Sequence, residues 1–337
     1  MELCENMKSV GIIGIGKFVP EKVIRNDDFV KLGLETSDEW ILSRTGIKER
    51  RITAENEATS DLAYKAAEEA ILDAGIKKED IGLIIVATTS PDYPTFPSTA
   101  CIVQERLGLG KIGAFDLSAA CSGFCYGVTT GYQFVQTGKY KNVLVIGADC
   151  LSKFVDWEDR SICVLFGDGA GAVVLSEVEA GYGLLASDMY SDGSFANLLI
   201  SESGGSRNVM SQDVLEAKAH LIKMDGKAVF KVAINSVLPS IFSALDSANL
   251  KPEDIDYFVP HQANLRIIGY TKEKLGLKDE QVVINIDKYG NTSAASIPIA
   301  MEEFSKKGKF KDGDIIVFSG FGAGFTWATS IIKWKGK

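Results

Sequence analysis

The chain has 337 residues, of which 46% are hydrophobic and 24% are charged, and its formal net charge at pH 7 is −9. This composition is typical of a globular protein of about two domains, and the negative charge argues against nonspecific binding to nucleic acid. No uninterrupted apolar run approaches the ~20 residues of a membrane span, and the N-terminus lacks a secretory pattern, so we expect a cytoplasmic protein without a membrane partner.

Apolar, β-branched runs alternate with helical patterns along the chain. The predicted strands cover residues 10–15, 81–88, 142–147, 171–175, 256–260, 282–286, 314–319 and 327–334. The clearest helical patterns cover residues 60–74 and 228–248. Alternation of this kind predicts an α/β fold whose sheets are covered by helices on both faces.

All of the cysteines lie in the first half of the chain. They are Cys4, Cys101, Cys121, Cys125, Cys150 and Cys163. Because no secretory signal is evident, we expect free thiols in a reducing compartment, with Cys101, Cys150 and Cys163 as packing residues. The sequence contains only two histidines, so we expect no metal site.

Two pairs of segments repeat along the chain in the same order. Residues 74–87 read AGIKKEDIGLIIVA and residues 248–261 read ANLKPEDIDYFVPH, an offset of 174 (248 − 74). GKYKNV at 138–143 recurs as GKFKDG at 308–313. These matches favour two related halves, residues 1–180 and 181–337, over the alternative of chance similarity between helix-turn-strand units.

Cys121 is the candidate nucleophile. It lies in FDLSAACSGF, after a strand-like run and just before a helical pattern at 123–136. A thiol at a helix N-terminus experiences the positive end of the dipole, so we expect a lowered pKa. The small neighbours admit an acyl thioester, whereas the alternative interpretation is a buried packing cysteine.

His261 and Asn291 are candidate hydrogen-bond donors to a carbonyl oxygen. His261 follows a predicted strand in FVPHQANLR, and Asn291 lies in KYGNTSAAS. A neutral imidazole and an amide together stabilise a developing enolate, although a structural histidine and a turn asparagine are the alternatives. Since sites in α/β folds lie at the carboxyl ends of strands, packing of the two halves is expected to bring Cys121 to them. His220, in the polar helical pattern EAKAHLIK, is expected to be a surface or structural residue.

Three glycine-rich segments have different interpretations. SGFGAGFTW at 319–327 offers backbone N–H groups that would complete an oxyanion hole with the N–H of Cys121. GIIGIG at 11–16 lacks the third glycine and the helix start of a dinucleotide-binding motif, so we reject NAD binding there. FGDGAGA at 166–172 is expected to be a turn that enters a strand.

In combination, the motifs resemble the β-ketoacyl-acyl carrier protein synthase III family over nearly the whole chain. The shared segments are SDEWILSRTGIKERR, TTSPDYPTFPSTAC, FDLSAACSGF, FGDGAGA, VPHQANLRI and GNTSAAS. The resemblance implies a thiolase-like α/β fold, with duplicated halves in five αβαβα layers, and a homodimer. It also implies a Cys121, His261 and Asn291 triad and no cofactor or metal.

The resemblance assigns further roles by matching positions. CoA-binding residues would be Trp40, Arg44 and Arg160; the oxyanion hole and active-site wall would use Phe321, Gly322 and Ala323. The carrier-protein contact would be Gln262, Ala263, Asn264, Leu265 and Arg266, with Arg266 as the principal cation. The acyl pocket would involve Phe96, Met224 and Phe230, with Phe96 reaching the pocket of the partner subunit. GAG at 322–324 replaces the three glycines of some relatives and retains a backbone N–H.

The implied activity is a decarboxylative Claisen condensation of acyl-CoA, with acetyl-CoA as the expected primer, and malonyl-acyl carrier protein. This reaction initiates type II fatty acid synthesis through an acyl-Cys intermediate and gives 3-oxoacyl-carrier protein, CoA and CO2. Elongating synthases use Cys-His-His, but the only other histidine, His220, lies outside any matching motif. Degradative thiolases use a second cysteine near the C-terminus, but no cysteine follows Cys163. The remaining alternatives are a condensing enzyme for a polyketide or other secondary product, and a non-catalytic acyl-CoA-binding scaffold.

Overall fold

The structure is a computed structural model that describes residues 8–336. Cys4 therefore lies outside the described residues. So does most of the N-terminal segment from which we expect no secretory signal.

Strands and helices alternate along most of the described chain. The strands are β1 (Val10–Phe18), β2 (Lys22–Arg25), β3 (Glu49–Ile52), β4 (Ile81–Ala87), β5 (Gly113–Leu117), β6 (Asn142–Cys150), β7 (Asp168–Glu177), β8 (Gly183–Ser191), β9 (Leu199–Ser201), β10 (Ile222–Met224), β11 (Tyr257–Pro260), β12 (Ile315–Gly322) and β13 (Thr326–Lys333). The helices are α1 (Asn26–Lys31), α2 (Asp38–Thr45), α3 (Thr59–Ala74), α4 (Thr99–Arg106), α5 (Gly123–Gln136), α6 (Gln212–Glu216), α7 (Gly226–Ser247), α8 (Leu265–Leu275), α9 (Ile286–Tyr289) and α10 (Ser296–Lys306).

Two larger sheets form the framework. The first has the order β1-β7-β6-β4-β5, and the second has the order β11-β12-β13-β8. In the first sheet β4 pairs parallel with β5 and β6, whereas β7 pairs antiparallel with β1 and β6. In the second sheet β11 and β12 are parallel, and β13 is antiparallel to β12 and β8. These central strands are almost fully buried, as expected for sheets that helices cover on both faces.

Helices and sheets stack in five layers. Helices α3 and α4 pack on the outer face of the first sheet, and α7 and α8 pack on the outer face of the second. Helices α5 and α10 lie between the sheets and contact strands of both. Phe124 of α5 and Met301 of α10 are fully buried in this central cluster, where Phe124 packs against Phe318 of β12. The expected αβαβα order of layers is confirmed.

The two sheets correspond strand by strand. The sequence β1-β7-β6-β4 matches β8-β13-β12-β11, with the same parallel and antiparallel relations. The turns that precede α5 and α10 also match, because Ala120 and Ser293 both have positive φ, at 46° and 52°, and lie 173 positions apart (293 − 120). A division of the chain at residue 180 stays a prediction. The central helical layer contains α5, which precedes residue 180, and α10, which follows it.

The predicted strand at 282–286 is wrong. Only one isolated parallel bridge forms there, between Val282 and Phe258 of β11. Beyond that bridge, the side-chain Oε1 of Gln262 accepts hydrogen bonds from the backbone N–H of Asn285 and of the next residue. These N–H groups are therefore unavailable for a strand ladder, and the segment turns into α9 at the position that β5 occupies in the first sheet.

The expected packing role of Cys101 is also wrong. Cys101 is exposed on α4, whereas Cys150 and Cys163 are buried as expected. The buried face of this helix is formed by residues such as Ala100 and Val103, which are fully buried, and Cys101 lies on the solvent-facing side. The predicted helix around His220 is likewise shorter, since α6 ends at Glu216 and His220 lies in the turn that follows.

One helix has the length and hydropathy of a membrane span. Within residues 8–336 only α7 meets that test. Its buried residues, among them Ala233 and Ile241, pack against β12, β13 and α8. Core helices of globular proteins meet the same test, and this packing is typical of one.

Candidate active site

A cavity of about 620 Å³ lies between the carboxyl end of β11 and the turn that precedes α5. The predicted site residues that line it are Cys121, His261, Asn291, Phe321, Gly322, Trp40, Arg44, Met224, Phe230, Ala263, Asn264 and Arg266. Arg160, Gln262, Leu265, Ala323 and Phe96 are outside its lining. The structure therefore brings the three predicted catalytic residues together from positions up to 170 apart (291 − 121).

Cys121 occupies a tight turn between β5 and α5. The turn is a short 3₁₀ segment, and Ala120 at its start has a φ of 46°, which is a strained value for a residue other than glycine. Gly322 packs directly against this turn, because a Cβ at that position would lie 2.4 Å from the backbone nitrogen of Cys121. The glycine-rich segment thus sits beside the nucleophile, where an oxyanion hole requires backbone donors.

Burial raises the pKa of the Cys121 thiol to about 12. The nearby Ser293 hydroxyl lowers this value in part, and the negative charge of Asp149 raises it further. The expected lowering of the pKa by the helix N-terminus is therefore wrong, because desolvation of the thiolate outweighs it. At neutral pH the unliganded thiol is protonated.

His261 begins the segment after β11 and is a neutral hydrogen-bonding group. Its backbone N–H donates to the carbonyl of Ser319 at 2.8 Å, which extends the pairing of β11 and β12 by one residue. Burial lowers the pKa of His261 to about 3, so the ring carries one proton at neutral pH. Its Nδ1 lies 2.7 Å from the hydroxyl of Ser296, and its ring contacts that of Phe321 edge to face at 5.4 Å.

Asn291 is oriented by the turn that follows it. Its Oδ1 accepts a 2.8 Å hydrogen bond from the backbone N–H of Ser293, and its backbone N–H donates to the carbonyl of Leu165. Because the amide oxygen faces Ser293, the NH2 group is left as the donor on the cavity side. This arrangement fits the predicted role of a carbonyl-polarising amide.

An aromatic clamp lies at the mouth of the cavity. The guanidinium of Arg44 lies 4.7 Å from the centre of the Trp40 ring, and that of Arg160 lies 5.1 Å from it. Arg160 also donates a hydrogen bond to the carbonyl of Glu35, which anchors it although it does not line the cavity itself. A flat cationic and aromatic surface of this kind suits a planar, anionic ligand.

The predicted contact segment 262–266 divides into buried and exposed residues. Gln262 is only 1% exposed, and its Nε2 donates to the carbonyls of Pro260 and Val283. Gln262 as a carrier-protein contact is therefore wrong, because both ends of its amide hold the backbone. Asn264 caps α8 and donates to the carbonyl of Arg44, while Leu265 and Arg266 are exposed.

The acyl-pocket residues also divide. Met224 and Phe230 line the cavity, and the guanidinium of Arg266 lies 5.5 Å from the centre of the Phe230 ring. Phe96 is 79% exposed on the surface and takes no part in this cavity. Its predicted reach into the pocket of a partner subunit stays a prediction.

Sequence reasoning missed several residues of the site. Lys227, at the start of α7, adds a further cation to the mouth, and Phe325 stacks on Phe321 with ring centres 5.9 Å apart. Ser293 and Ser296 are the more informative omissions, since Ser293 donates its backbone N–H to Asn291 and the Ser296 hydroxyl contacts His261. The hydroxyl-rich segment GNTSAAS was the available signal, but spacing alone does not indicate which hydroxyl faces which partner.

Two family descriptions match the chain. Residues 115–193 match 3-Oxoacyl-[acyl-carrier-protein (ACP)] synthase III, and residues 245–334 match 3-Oxoacyl-[acyl-carrier-protein (ACP)] synthase III C terminal. The first range contains Cys121, and the second contains His261 and Asn291.

Whole proteins and solved structures give similar results. The beta-ketoacyl-[acyl-carrier-protein] synthase III of Caldanaerobacter subterraneus subsp. tengcongensis is 52% identical over 99% of this chain and 100% of its own length. That of Clostridioides difficile is 54% identical over 96% of this chain and 98% of its own. The crystal structure of 3-oxoacyl-[acyl-carrier-protein] synthase III from Aquifex aeolicus is 47% identical, with a TM-score of 0.90, and covers 97% of this chain and 100% of that one.

Proposed function

The chain belongs to the 3-oxoacyl-[acyl-carrier-protein] synthase III family, and on that premise we propose that Cys121, His261 and Asn291 carry out its reaction. Members of this family catalyse the condensation that initiates fatty acid synthesis, and this acyltransferase joins acyl-CoA to malonyl-acyl carrier protein. The observation that carries the residue assignment is the lining of one cavity by all three side chains. Acetyl-CoA is the proposed primer.

The first half-reaction forms an acyl-enzyme. The sulfur of Cys121 attacks the thioester carbonyl of acyl-CoA, and the tetrahedral oxyanion lies against backbone N–H groups of Cys121 and of the turn at 322–323. The C–S bond to CoA then breaks, and the CoA sulfur takes up the proton that the Cys121 thiol loses. Since the pKa of Cys121 is raised to about 12 by burial, transfer of this proton has to accompany attack.

The second half-reaction forms the new carbon–carbon bond. His261 and the amide NH2 of Asn291 donate hydrogen bonds to the thioester carbonyl of malonyl-carrier protein, and these bonds stabilise the enolate that forms as CO2 leaves. The enolate carbon attacks the acyl carbonyl on Cys121, and the C–S bond to Cys121 breaks. The thiolate takes up one proton from solvent, and 3-oxoacyl-carrier protein departs.

The environment of His261 supports this second step. A neutral imidazole donates one hydrogen bond without placing a full positive charge beside the carboxylate that must leave. Phe321, which packs against His261, presents an apolar wall to that carboxylate and favours its loss as uncharged CO2. Neither half-reaction involves a net oxidation or reduction, so the proposal contains no redox cofactor.

The mouth of the cavity suits the anionic ends of both substrates. Trp40, whose ring lies close to the guanidinium groups of Arg44 and Arg160, is part of the proposed binding surface for the adenine end of CoA. Arg266 and Leu265, both exposed at the start of α8, are the proposed contacts of the acidic carrier protein. Arg44, Arg160 and Arg266 thus place positive charge at the mouth of the cavity in a chain whose net charge is −9.

We also propose a cytoplasmic homodimer. Strand β5 is the edge of the first sheet, and each of its residues, Gly113–Leu117, is half-buried in the single chain. Its outer side offers backbone N–H and C=O groups to a second copy. Tyr93 and Phe96 are exposed by 53% and 79%, and burial of such large apolar groups favours association.

Product formation by purified protein tests the activity. We expect wild-type protein to convert acetyl-CoA and malonyl-carrier protein into 3-oxoacyl-carrier protein and CO2, and Cys121→Ala to form no product. Product with a longer or branched primer, and none with acetyl-CoA, would retain the mechanism and change the substrate. Binding of acyl-CoA without product from any primer would contradict the proposal and favour a scaffold.

A further inference from the structure

The contact between Ser296 and His261 fixes the position of a proton. Ser296 is the first residue of α10, and its Oγ lies 2.7 Å from Nδ1 of His261. Both residues are buried, with exposed fractions of 2% and 3%. A buried hydroxyl and a buried ring nitrogen at this distance share one hydrogen, so the question is which of them donates it.

A second hydrogen bond at the same hydroxyl settles the direction. The backbone N–H of Gln262 donates to Oγ of Ser296 at 3.3 Å. If His261 also donated from Nδ1, the hydroxyl would accept twice, and its own proton would be buried without an acceptor among residues 8–336. If Ser296 donates to Nδ1, all three groups are satisfied.

The neutral ring then carries its single proton on Nε2. Nδ1 is occupied by Ser296, and Nε2 lies at the opposite side of a ring that lines the cavity. A proton on Nε2 is what a donor to a substrate carbonyl requires, whereas the other tautomer would present a lone pair to that carbonyl and repel it.

We propose that Ser296 is a positioning residue that holds His261 in the Nε2–H tautomer and thereby makes it a donor to the malonyl thioester carbonyl. The inference deepens the proposed function and rests on it for the identity of the carbonyl. The segment 291–296 then acts on both donors of the second half-reaction. Asn291 is itself one donor, and Ser296 positions His261, which is the other.

NMR of ¹⁵N-labelled histidine measures the tautomer of His261 independently of any activity assay. The chain has only two histidines, and His220→Gln assigns the signals. In the wild type we expect His261 to show a protonated Nε2 and an unprotonated Nδ1 between about pH 6 and 8. A proton on Nδ1 in the wild type would overturn the proposal, whether or not any variant folds.

Variants of Ser296 separate positioning from packing. Ser296→Ala should mix the two tautomers of His261, and Ser296→Thr, which keeps the hydroxyl, should restore the Nε2–H form. Ser296→Ala should lower kcat for decarboxylation of malonyl-carrier protein about tenfold and leave acylation of Cys121 by acyl-CoA within about twofold. Ser176→Ala removes another buried serine hydroxyl, outside the cavity, and should change neither rate.

Two outcomes would count against this assignment. An unchanged tautomer in Ser296→Ala, or equal losses in both half-reactions, would show that the hydroxyl does not position His261. Absence of decarboxylation in the wild type would instead refute the proposed function, and the tautomer measurement would still report on the Ser296 contact by itself.

Discussion

The backbone N–H of Ser293 donates to Oδ1 of Asn291 at 2.8 Å, so the turn after Asn291 selects which end of its amide faces the cavity. Asn291→Asp keeps this bond, because a carboxylate also accepts from Ser293, but it replaces the donor with a negative charge beside the forming enolate. We expect condensation to fall roughly 10²- to 10³-fold and acylation of Cys121 to persist. Single-turnover assays of each half-reaction measure this difference.

Asn208→Asp is the matched control, since it introduces the same charge at an exposed loop position outside the cavity. It should leave both rates unchanged. If Asn291→Asp condenses at the wild-type rate, Asn291 is not a donor to the substrate.

The raised pKa of Cys121 predicts how its alkylation depends on pH. A thiol with a pKa of about 12 is protonated at neutral pH, and the thiolate fraction grows about tenfold per pH unit below that value. Iodoacetamide modification of the unliganded enzyme should therefore accelerate through the alkaline range without a plateau below about pH 10. Mass spectrometry in a Cys101→Ser background, which removes the exposed thiol, checks this; a plateau near neutral pH would contradict it.

Replacement of Trp40, the ring beside Arg44 and Arg160, is expected to lower affinity for CoA substrates only. Stacking of a base on an aromatic side chain contributes about 1–3 kcal/mol, so Trp40→Ala, which removes the proposed stacking surface, should raise KM for acyl-CoA roughly tenfold. An acyl thioester of a short pantetheine analogue lacks the adenine and serves as the control, since its KM should not change. An equal rise in both KM values would mean that Trp40 supports the cavity itself.

Charge reversal at Arg266 is expected to raise KM for malonyl-carrier protein selectively. Arg266→Glu reverses the charge at the exposed start of α8, so KM for malonyl-carrier protein should rise about tenfold and its dependence on salt should weaken. Acylation of Cys121 by acyl-CoA should remain. Lys307→Glu makes the same change on α10's far end and is the control; equal losses in both half-reactions of Arg266→Glu would reject the assignment.

Much of the site was predictable because its residues follow strands. Cys121 and His261 each come directly after an apolar run, and the duplicated pattern implied that the two strand ends face each other. The error at 282–286 arose because β-branched composition does not reveal that the side chain of Gln262 occupies the backbone N–H groups of that segment.

Electrostatics were less accessible from the sequence than geometry. The position of Cys121 before α5 was correct, but its pKa depends on how fully the surrounding layers exclude water, and the sequence does not fix that. The contact between Ser296 and His261 was missed for a related reason. It joins two segments 35 positions apart, and only the packing of α10 against the end of β11 brings them together.

In the proposed mechanism Cys121 carries the acyl group between the two half-reactions. The most direct measurement isolates the enzyme after incubation with radiolabelled acetyl-CoA, locates the label by peptide mapping, and then adds malonyl-carrier protein. We expect label on the peptide that contains Cys121, followed by its transfer to 3-oxoacyl-carrier protein with equimolar release of CO2. Label on another residue, or labelled product from Cys121→Ala, would contradict it.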